Sequence, residues 1–273
     1  MGELETKQQR LEEQLRALPS LIVAYSGGVD SAYLAYAAHH VLRDRMLAVT
    51  ALSASYSARD RAEAEKCVER FKFPHQFIET DELSNLNYRA NQADRCYFCK
   101  DELFVKLDEL AGRRGFAAVA YGINRDDLGD WRPGQQAARE HKVLTPLLDA
   151  GLTKADIREL SRQVDLPVWD RPASACLSSR IAYGIEVTPE RLAVIEKGEE
   201  ALRALGFRQF RVRYHEELAR IEIALDELPR ALDPAMARKF VEIFKPLGFK
   251  FVTLDLEGFR SGSMNSLLVN IQK

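Results

Sequence analysis

The residues with the clearest chemical potential lie in Ser26-Gly27-Gly28-Val29-Asp30-Ser31, directly after the apolar run Leu21-Ile22-Val23-Ala24-Tyr25. A buried strand that ends in Ser-Gly-Gly and hands over to a helix at Asp30 or Ser31 gathers unpaired N–H groups at one point. The positive end of the helix dipole lies there too. Gly27 and Gly28 permit positive φ and let a ligand approach the main chain without a Cβ in the way. Ser26 and Ser31 add hydroxyls, and Asp30 is a carboxylate able to hold Mg²⁺ against phosphate oxygens. The loop therefore suits an anion, and phosphate above all. It lacks the Gly-Lys-Ser/Thr of a Walker loop and the G-x-G-x-x-G of dinucleotide folds. The plain alternative is an ordinary glycine turn capped by Asp or Ser.

A second set is Cys96-Tyr97-Phe98-Cys99, between Arg95 and Lys100, together with Cys176. A lone C-x-x-C reads as half of a zinc site, a redox pair, two ligands of an iron–sulfur cluster, or chance. No second C-x-x-C and no His pair at metal spacing accompany it, and the short βαβ context of a thioredoxin is missing. Three thiolates can hold a [4Fe–4S] cluster by three irons and leave the fourth open. Cys67 reads as a small core residue. Arg211 and Arg213 alternate on one strand face and can grip a phosphate together, or can be solvated and paired with Glu199, Glu200 or Glu222. His39, His40, His75, His141 and His215 show no catalytic spacing.

These groups need a scaffold, and the periodicities supply one. A first helix carries Leu4, Leu11, Leu15 and Leu18 on one stripe, a better reading of the start than the loose myristoylation pattern of Met1 to Thr6. Asp30–Asp44 and Arg59–Phe71 read as helices, and Met46–Leu52 and His75–Glu79 as strands, with Pro74 breaking between. Ser53 to Tyr56 is small and polar, as a ligand-facing loop would be. A helical region spans Glu82 to Arg114, interrupted near Asn91 to Cys96, and Phe116–Tyr121 is a strand. It ends at Asp126 and Asp127, where nucleotide contacts are expected. Trp131 to Gly134 reads as a turn, Val143–Leu148 as the last strand of the sheet, and Thr153–Val164 as a capped helix. The proline-containing loop Leu166–Arg180 is expected to close over the site. Strands alternating with helices in this way predict an α/β fold, a doubly wound parallel sheet with ligands beyond the carboxyl ends of its strands.

The pattern changes near Ile185. A helix from Thr188-Pro189 to Leu205, alternating strands at Phe210–Tyr214 and Arg220–Leu225, a helix from Asp233-Pro234 to Gly248 and a strand at Phe249–Leu254 follow. In the strands Ile221, Ile223 and Leu225 are expected inward and Glu222 outward. The chain thus divides into 1–184, bearing the glycine loop, and 185–273, a smaller α+β domain for substrate binding or oligomerisation.

At 273 residues, 29% of them charged and with a net charge of −2, the chain has no global basic field to recruit nucleic acid. No apolar run approaches the roughly 20 residues of a membrane span. Four cysteines do not suggest a disulfide scaffold. A cytoplasmic homo-oligomer without nucleic-acid or membrane partners is expected.

The glycine loop resembles the Ser-Gly-Gly-x-Asp-Ser of the PP-loop ATP pyrophosphatases, which split ATP between its α and β phosphates. Asp94-Arg95-Cys96-Tyr97-Phe98-Cys99-Lys100, Ala175-Cys176-Leu177-Ser178-Ser179-Arg180 and Leu254 to Asn265 extend the likeness along both domains. Together they resemble the LarE family, pyridinium-3,5-biscarboxylate mononucleotide sulfurtransferases that make the nickel-pincer cofactor. The resemblance implies adenylation of a substrate carboxylate by ATP and Mg²⁺, followed by displacement of AMP by sulfur. It implies ATP on Ser26, Gly27, Gly28, Asp30, Ser31, Ser53, Asp126 and Asp127, with Mg²⁺ on Asp30. The pyridinium mononucleotide falls to Arg180, Glu199, Arg211 and Arg213; Arg180 also favours a sulfur anion, and Glu199 is placed to position the arginines or a metal. Family members with three cysteines, here Cys96, Cys99 and Cys176, use a [4Fe–4S] cluster carrying an extra sulfide. Others sacrifice the sulfur of the cysteine matching Cys176. Having all three, the sequence favours the cluster, resupplied by sulfide or another sulfur donor. A PP-loop tRNA thiolase is the competing reading.

Overall fold

The computed structural model describes residues 2–129, 133–172, 174–260 and 262–264. In chain order the first elements are α1 (Glu3–Arg16), β1 (Leu21–Ala24), α2 (Val29–Leu42), β2 (Met46–Leu52), α3 (Ala58–Phe71) and β3 (His75–Glu79). Next come α4 (Leu86–Arg89), α5 (Arg95–Arg114), β4 (Ala118–Tyr121), α6 (Pro133–Glu140), α7 (Pro146–Asp149) and α8 (Lys154–Gln163). The last are α9 (Pro189–Ala204), β5 (Phe210–His215), β6 (Leu218–Ile223), α10 (Leu228–Ala231), α11 (Pro234–Phe244) and β7 (Phe251–Leu254). They form two compact units: Met1–Glu82 with Cys96–Ser174, and Leu83–Arg95 with Ala175–Lys273.

In the first unit the strands run parallel in the order β3-β2-β1-β4, so the direction of winding reverses beside β1. Both faces of the sheet are covered, which is why its strands read as continuous apolar runs. Leu21, Val23, Met46 and Ala48 face α1, α2, α3 and α8, whose contributions include Leu11, Leu34, Cys67 and Ile157. Ile22, Ala24, Leu47 and Val49 face α5 and α6 through Phe104, Leu107 and Ala137. This is the doubly wound α/β sheet that the alternation of elements predicts.

Two segments differ from the sequence reading. Val143–Leu148 is not a strand: Leu144 makes a single bridge to Ala120, and Pro146 then opens α7. Proline has no N–H to continue a ladder, but it suits a first helical turn. At the expected turn, Pro133 and Gly134 begin α6; Trp131 and Arg132 lie outside the described residues.

The second unit holds a separate three-stranded sheet, β5-β6-β7, antiparallel between β5 and β6 and parallel between β6 and β7. One face packs on α9 and α11 through Val212, Ile221, Leu202, Phe240 and Phe244. Leu225, expected inward, is 63% exposed, because β6 ends at Ile223 and the chain turns away. Glu222, expected outward, is 0% exposed: the other face of this sheet is covered as well. The short segment 83–95 belongs to this unit through Asn91. Its buried side-chain amide donates to the carbonyls of Ala182 and Ile185, both at 2.9 Å, and of Ile181 at 3.3 Å. Asn91 sits at φ 54°, a conformation that Asn tolerates better than most residues.

Candidate active site

The glycine loop leaves β1 and enters α2 as its residues require. Gly27 has φ 77°, and a Cβ there would lie 2.9 Å from that of Ala64. The two serines brace the turn. Ser31 Oγ accepts from the Ser26 N–H at 3.1 Å and donates to the Gly28 carbonyl at 3.0 Å, and Ser26 Oγ lies 3.1 Å from it. The Tyr56 hydroxyl donates to the Ser26 carbonyl at 3.0 Å. Gly122, at the end of β4, is equally constrained: a Cβ would come within 2.7 Å of the Ser31 nitrogen. The end of β4 can therefore lie against the first turn of α2.

Asp30 stands at that turn, half-buried. Its carboxylate meets Lys154 Nζ at 2.5 Å and the Asn124 side-chain amide at 3.3 Å. Lys154 is the first residue of α8, after the capping box of Thr153 and Asp156. A cation at the positive end of a helix opposes the dipole, and here the Asp30 carboxylate answers it. Lys154 and Asn124 are partners of Asp30 that motif reading misses. Asp126 and Asp127 build the loop beneath. Asp126 accepts from the Lys154 N–H at 2.8 Å and Asp127 from the Asn124 N–H at 3.1 Å. One half-buried carboxylate beside oriented N–H donors fits Mg²⁺ as it usually occurs with phosphates.

Ser53 lines a cleft of about 540 Å³ at the carboxyl ends of β2 and β3, walled also by Thr80, Asp81, Glu102 and Lys106. Burial raises the Glu102 pKa from the ordinary carboxylate range, opposed by the Asp81 N–H donated to it at 2.6 Å. Cys96 and Cys99 occupy the first turn of α5, three residues apart and so on one face. Cys96 is exposed, Cys99 is half-buried, and the Cys99 thiol lies 3.7 Å from the buried Glu82 carboxylate. Cys67 is wholly buried in the core.

In the second unit Cys176 is exposed and caps the short helical turn Leu177–Arg180. Arg180 and Glu199 are buried beneath it, with Arg180 Nε at 2.9 Å and Nη2 at 3.2 Å from the carboxylate oxygens. On the same strand face as each other lie Arg211, Arg213, Arg220 and Glu222. Arg213 pairs with Glu222 at 2.8 Å, and Ser263 Oγ donates to Glu222 at 2.6 Å. Arg211 donates to the Phe210 carbonyl and lies over the Phe259 ring. Burial, reinforced by Arg180 and Arg213 against Glu199, lowers Arg211 to about 10. The Nε atoms of Arg213 and Arg220 and Nε2 of His215 are buried without a hydrogen-bond partner among the described residues. Ser261 and Asn265 of the C-terminal motif lie outside them, as does Ala173 of the loop before Cys176.

Comparison with known proteins places the chain in a family. The NAD synthase family model matches residues 4–120, the region of the glycine loop and the parallel sheet. A pyridinium-3,5-bisthiocarboxylic acid mononucleotide synthase of Lactiplantibacillus plantarum is 35% identical over 273 residues, covering 100% of this chain and 98% of that protein. The chain belongs to this synthase family, LarE. An uncharacterised protein of Synechocystis is 41% identical over 265 residues, covering 97% of this chain and 99% of that protein. One chain of the glutamine-hydrolysing GMP synthase of Thermococcus kodakarensis is 28% identical over 217 residues, 68% of this chain and 66% of its own. The protein is thus an enzyme of the PP-loop superfamily in its LarE branch. Among the described residues no helix is long and apolar enough to cross a membrane. No group of three or more His, Cys, Asp or Glu side chains among them is gathered for a metal ion.

Proposed function

We infer that this LarE-family enzyme uses ATP to adenylate a carboxylate of pyridinium-3,5-biscarboxylic acid mononucleotide, and then installs sulfur there with release of AMP. The observation that carries the reading is the end-to-end match to the Lactiplantibacillus synthase.

A carboxylate is a poor electrophile until one of its oxygens becomes part of a phosphate leaving group. Attack of that oxygen on the α-phosphorus breaks the bond to the β-phosphate, and charge grows on the departing pyrophosphate. The N–H groups at the start of α2, the hydroxyl of Ser26 and the ammonium of Lys154 are donors held at the loop before the reaction, the arrangement that stabilises such charge best. Mg²⁺ on Asp30 would neutralise phosphate oxygens as a Lewis acid. The cleft beside Ser53 has room for the nucleoside end of ATP. Arg211 and Arg213 take the mononucleotide phosphate; the buried Nε of Arg213, without a partner among the described residues, and the lowered Arg211 pKa are what a cationic site suited to an anion would show. The C-terminal unit then serves as the substrate-binding part, and a homo-oligomer is the proposed assembly.

For the sulfur, the donor chemistry fits a cluster. Cys96, Cys99 and Cys176 are outside any disulfide, and two of them are exposed. A [4Fe–4S] cluster on these thiolates would supply an exchangeable sulfide. A second reading is favoured by the exposed, singly presented Cys176. Its sulfur attacks the adenylate, AMP leaves, and cleavage of the Cβ–Sγ bond yields the thiocarboxylate and dehydroalanine. Incubation with ATP, Mg²⁺ and the biscarboxylate mononucleotide should yield AMP and pyrophosphate and a substrate heavier by replacement of oxygen with sulfur. AMP formed on tRNA instead would move the protein to the thiolases.

A further inference from the structure

Arg180 spends its hydrogen bonds inward. Its side chain is only 3% exposed, and its Nε and Nη2 meet the two oxygens of Glu199. Its Nη1 donates to the carbonyls of Ala175 and Cys176, the latter at 2.8 Å, and lies 3.1 Å from Ser179 Oγ. Ser179 Oγ donates in turn to the Cys176 carbonyl at 2.7 Å. Glu199, itself on α9, also accepts from the Val212 N–H at 3.3 Å. Val212 lies between Arg211 and Arg213 on β5. The same strand is tied to the segment a second time, since Arg213 Nη1 donates to the Ser179 carbonyl at 3.1 Å.

We propose that Arg180 and Glu199 are a positioning pair that fixes the main chain of Cys176 to the strand bearing Arg211 and Arg213, and that neither binds the substrate. This rests on the sulfurtransferase reading for its purpose, though not for its test. The planar guanidinium matches the carboxylate with two parallel bonds, which only arginine supplies. Its remaining nitrogen holds two successive carbonyls, so the thiol is presented while its backbone is immobilised. A reacting sulfur and a substrate phosphate held on one rigid element have a fixed separation, and displacements of about 1 Å between reacting groups can cost about a hundredfold in rate. The pair would thus select substrates in which phosphate and carboxylate stand at one spacing, as in a pyridinium mononucleotide.

Removing one partner leaves the other charge buried and destabilises the unit, whereas replacing both with apolar residues of similar size does not. The test therefore uses Arg180→Lys and the double variant Arg180→Met/Glu199→Leu. Three quantities are compared with the parent protein: amide exchange over residues 175–182, the rate of Cys176 alkylation by iodoacetamide, and the affinity for nicotinate mononucleotide by calorimetry. Local opening should raise exchange and alkylation by about tenfold, with nicotinate mononucleotide affinity unchanged within about twofold. With the biscarboxylate substrate, kcat should fall while KM holds. A tenfold loss of nicotinate mononucleotide affinity with parental exchange and alkylation would make Arg180 a substrate ligand and overturn the proposal. Parental values for all three would also overturn it. If the parent enzyme forms no AMP with the biscarboxylate substrate, the sulfurtransferase reading fails, while exchange and alkylation still judge the pair.

Discussion

Lys154 Nζ lies 2.5 Å from a carboxylate oxygen of Asp30, joining the start of α8 to the start of α2 across the end of the parallel sheet. Each charge answers the other in this arrangement. Under the proposed reaction the carboxylate would turn to Mg²⁺ and the ammonium to phosphate oxygens.

From this pairing, Asp30→Ala should abolish pyrophosphate release while the fold survives, because the sheet and its cores do not use that side chain. Lys154→Met should weaken ATP binding by about ten- to hundredfold, the usual effect of losing a charged hydrogen-bond partner. Near-normal turnover in a folded Asp30→Ala protein would remove the metal role from that residue.

Arg211→Ala and Arg213→Ala should act on affinity for the mononucleotide, each by about ten- to hundredfold. Arg213→Ala should cost stability too, since buried Glu222 would lose one of its two arginine partners and keep only Arg220 and Ser263. Arg211 alone, lowered to about 10 by burial, should impose a pH limit. Binding an anion favours its charged form, so affinity should be flat through neutrality and fall above about pH 10. Affinity measured by calorimetry that is indifferent to Arg211→Ala would assign that guanidinium to packing on Phe259.

How far the sequence discloses all this depends on the range of the interactions. Met46–Leu52 and His75–Glu79 are legible to the residue, because Pro74 and the polar loops mark their ends. The glycine loop is legible because its conformation is local. Val143–Leu148 has the apolarity of a strand, but Pro146 decides in favour of a helix. Glu222 looks solvent-facing by alternation, and only the packing of Arg213, Arg220 and Ser263 on the second face makes it buried. Lys154 and Asn124 reach Asp30 from more than ninety residues away in the chain, and no spacing announces such a contact. Arg180 has the composition of a ligand-binding residue; its bonds to two backbone carbonyls are visible only in three dimensions.

His75 gives a prediction about stability. Burial lowers its pKa from the ordinary 6.5 to about 4, and its Nε2 lies 2.9 Å from Thr50 Oγ1. Between these values the unfolded chain binds a proton that the folded chain does not. Stability is therefore fully present above about pH 6.5 and declines as pH falls toward 4. The slope is at most about 1.4 kcal/mol per pH unit, reduced by the partial exposure of the ring. Calorimetric Tm should drop more steeply over this window in the parent than in His75→Gln. Parallel curves would assign the acid loss to other groups.

The sulfur source is decided by Cys96, Cys99 and Cys176 acting together or Cys176 acting alone. Cys96 and Cys99 share the first turn of α5. Cys176 is held from behind by Arg180 with its thiol exposed. If all three serve a cluster, protein prepared without oxygen should be brown and contain iron and sulfide. Any one Cys→Ser change should then remove the colour and the activity together, and sulfide should sustain repeated turnover. If Cys176 is spent instead, the protein should be colourless, react once, and emerge lighter by the mass of H₂S on the peptide carrying residue 176. Cys96→Ser and Cys99→Ser would then stay active. Iron analysis and intact mass on the same sample separate the two, because only one mechanism consumes the protein.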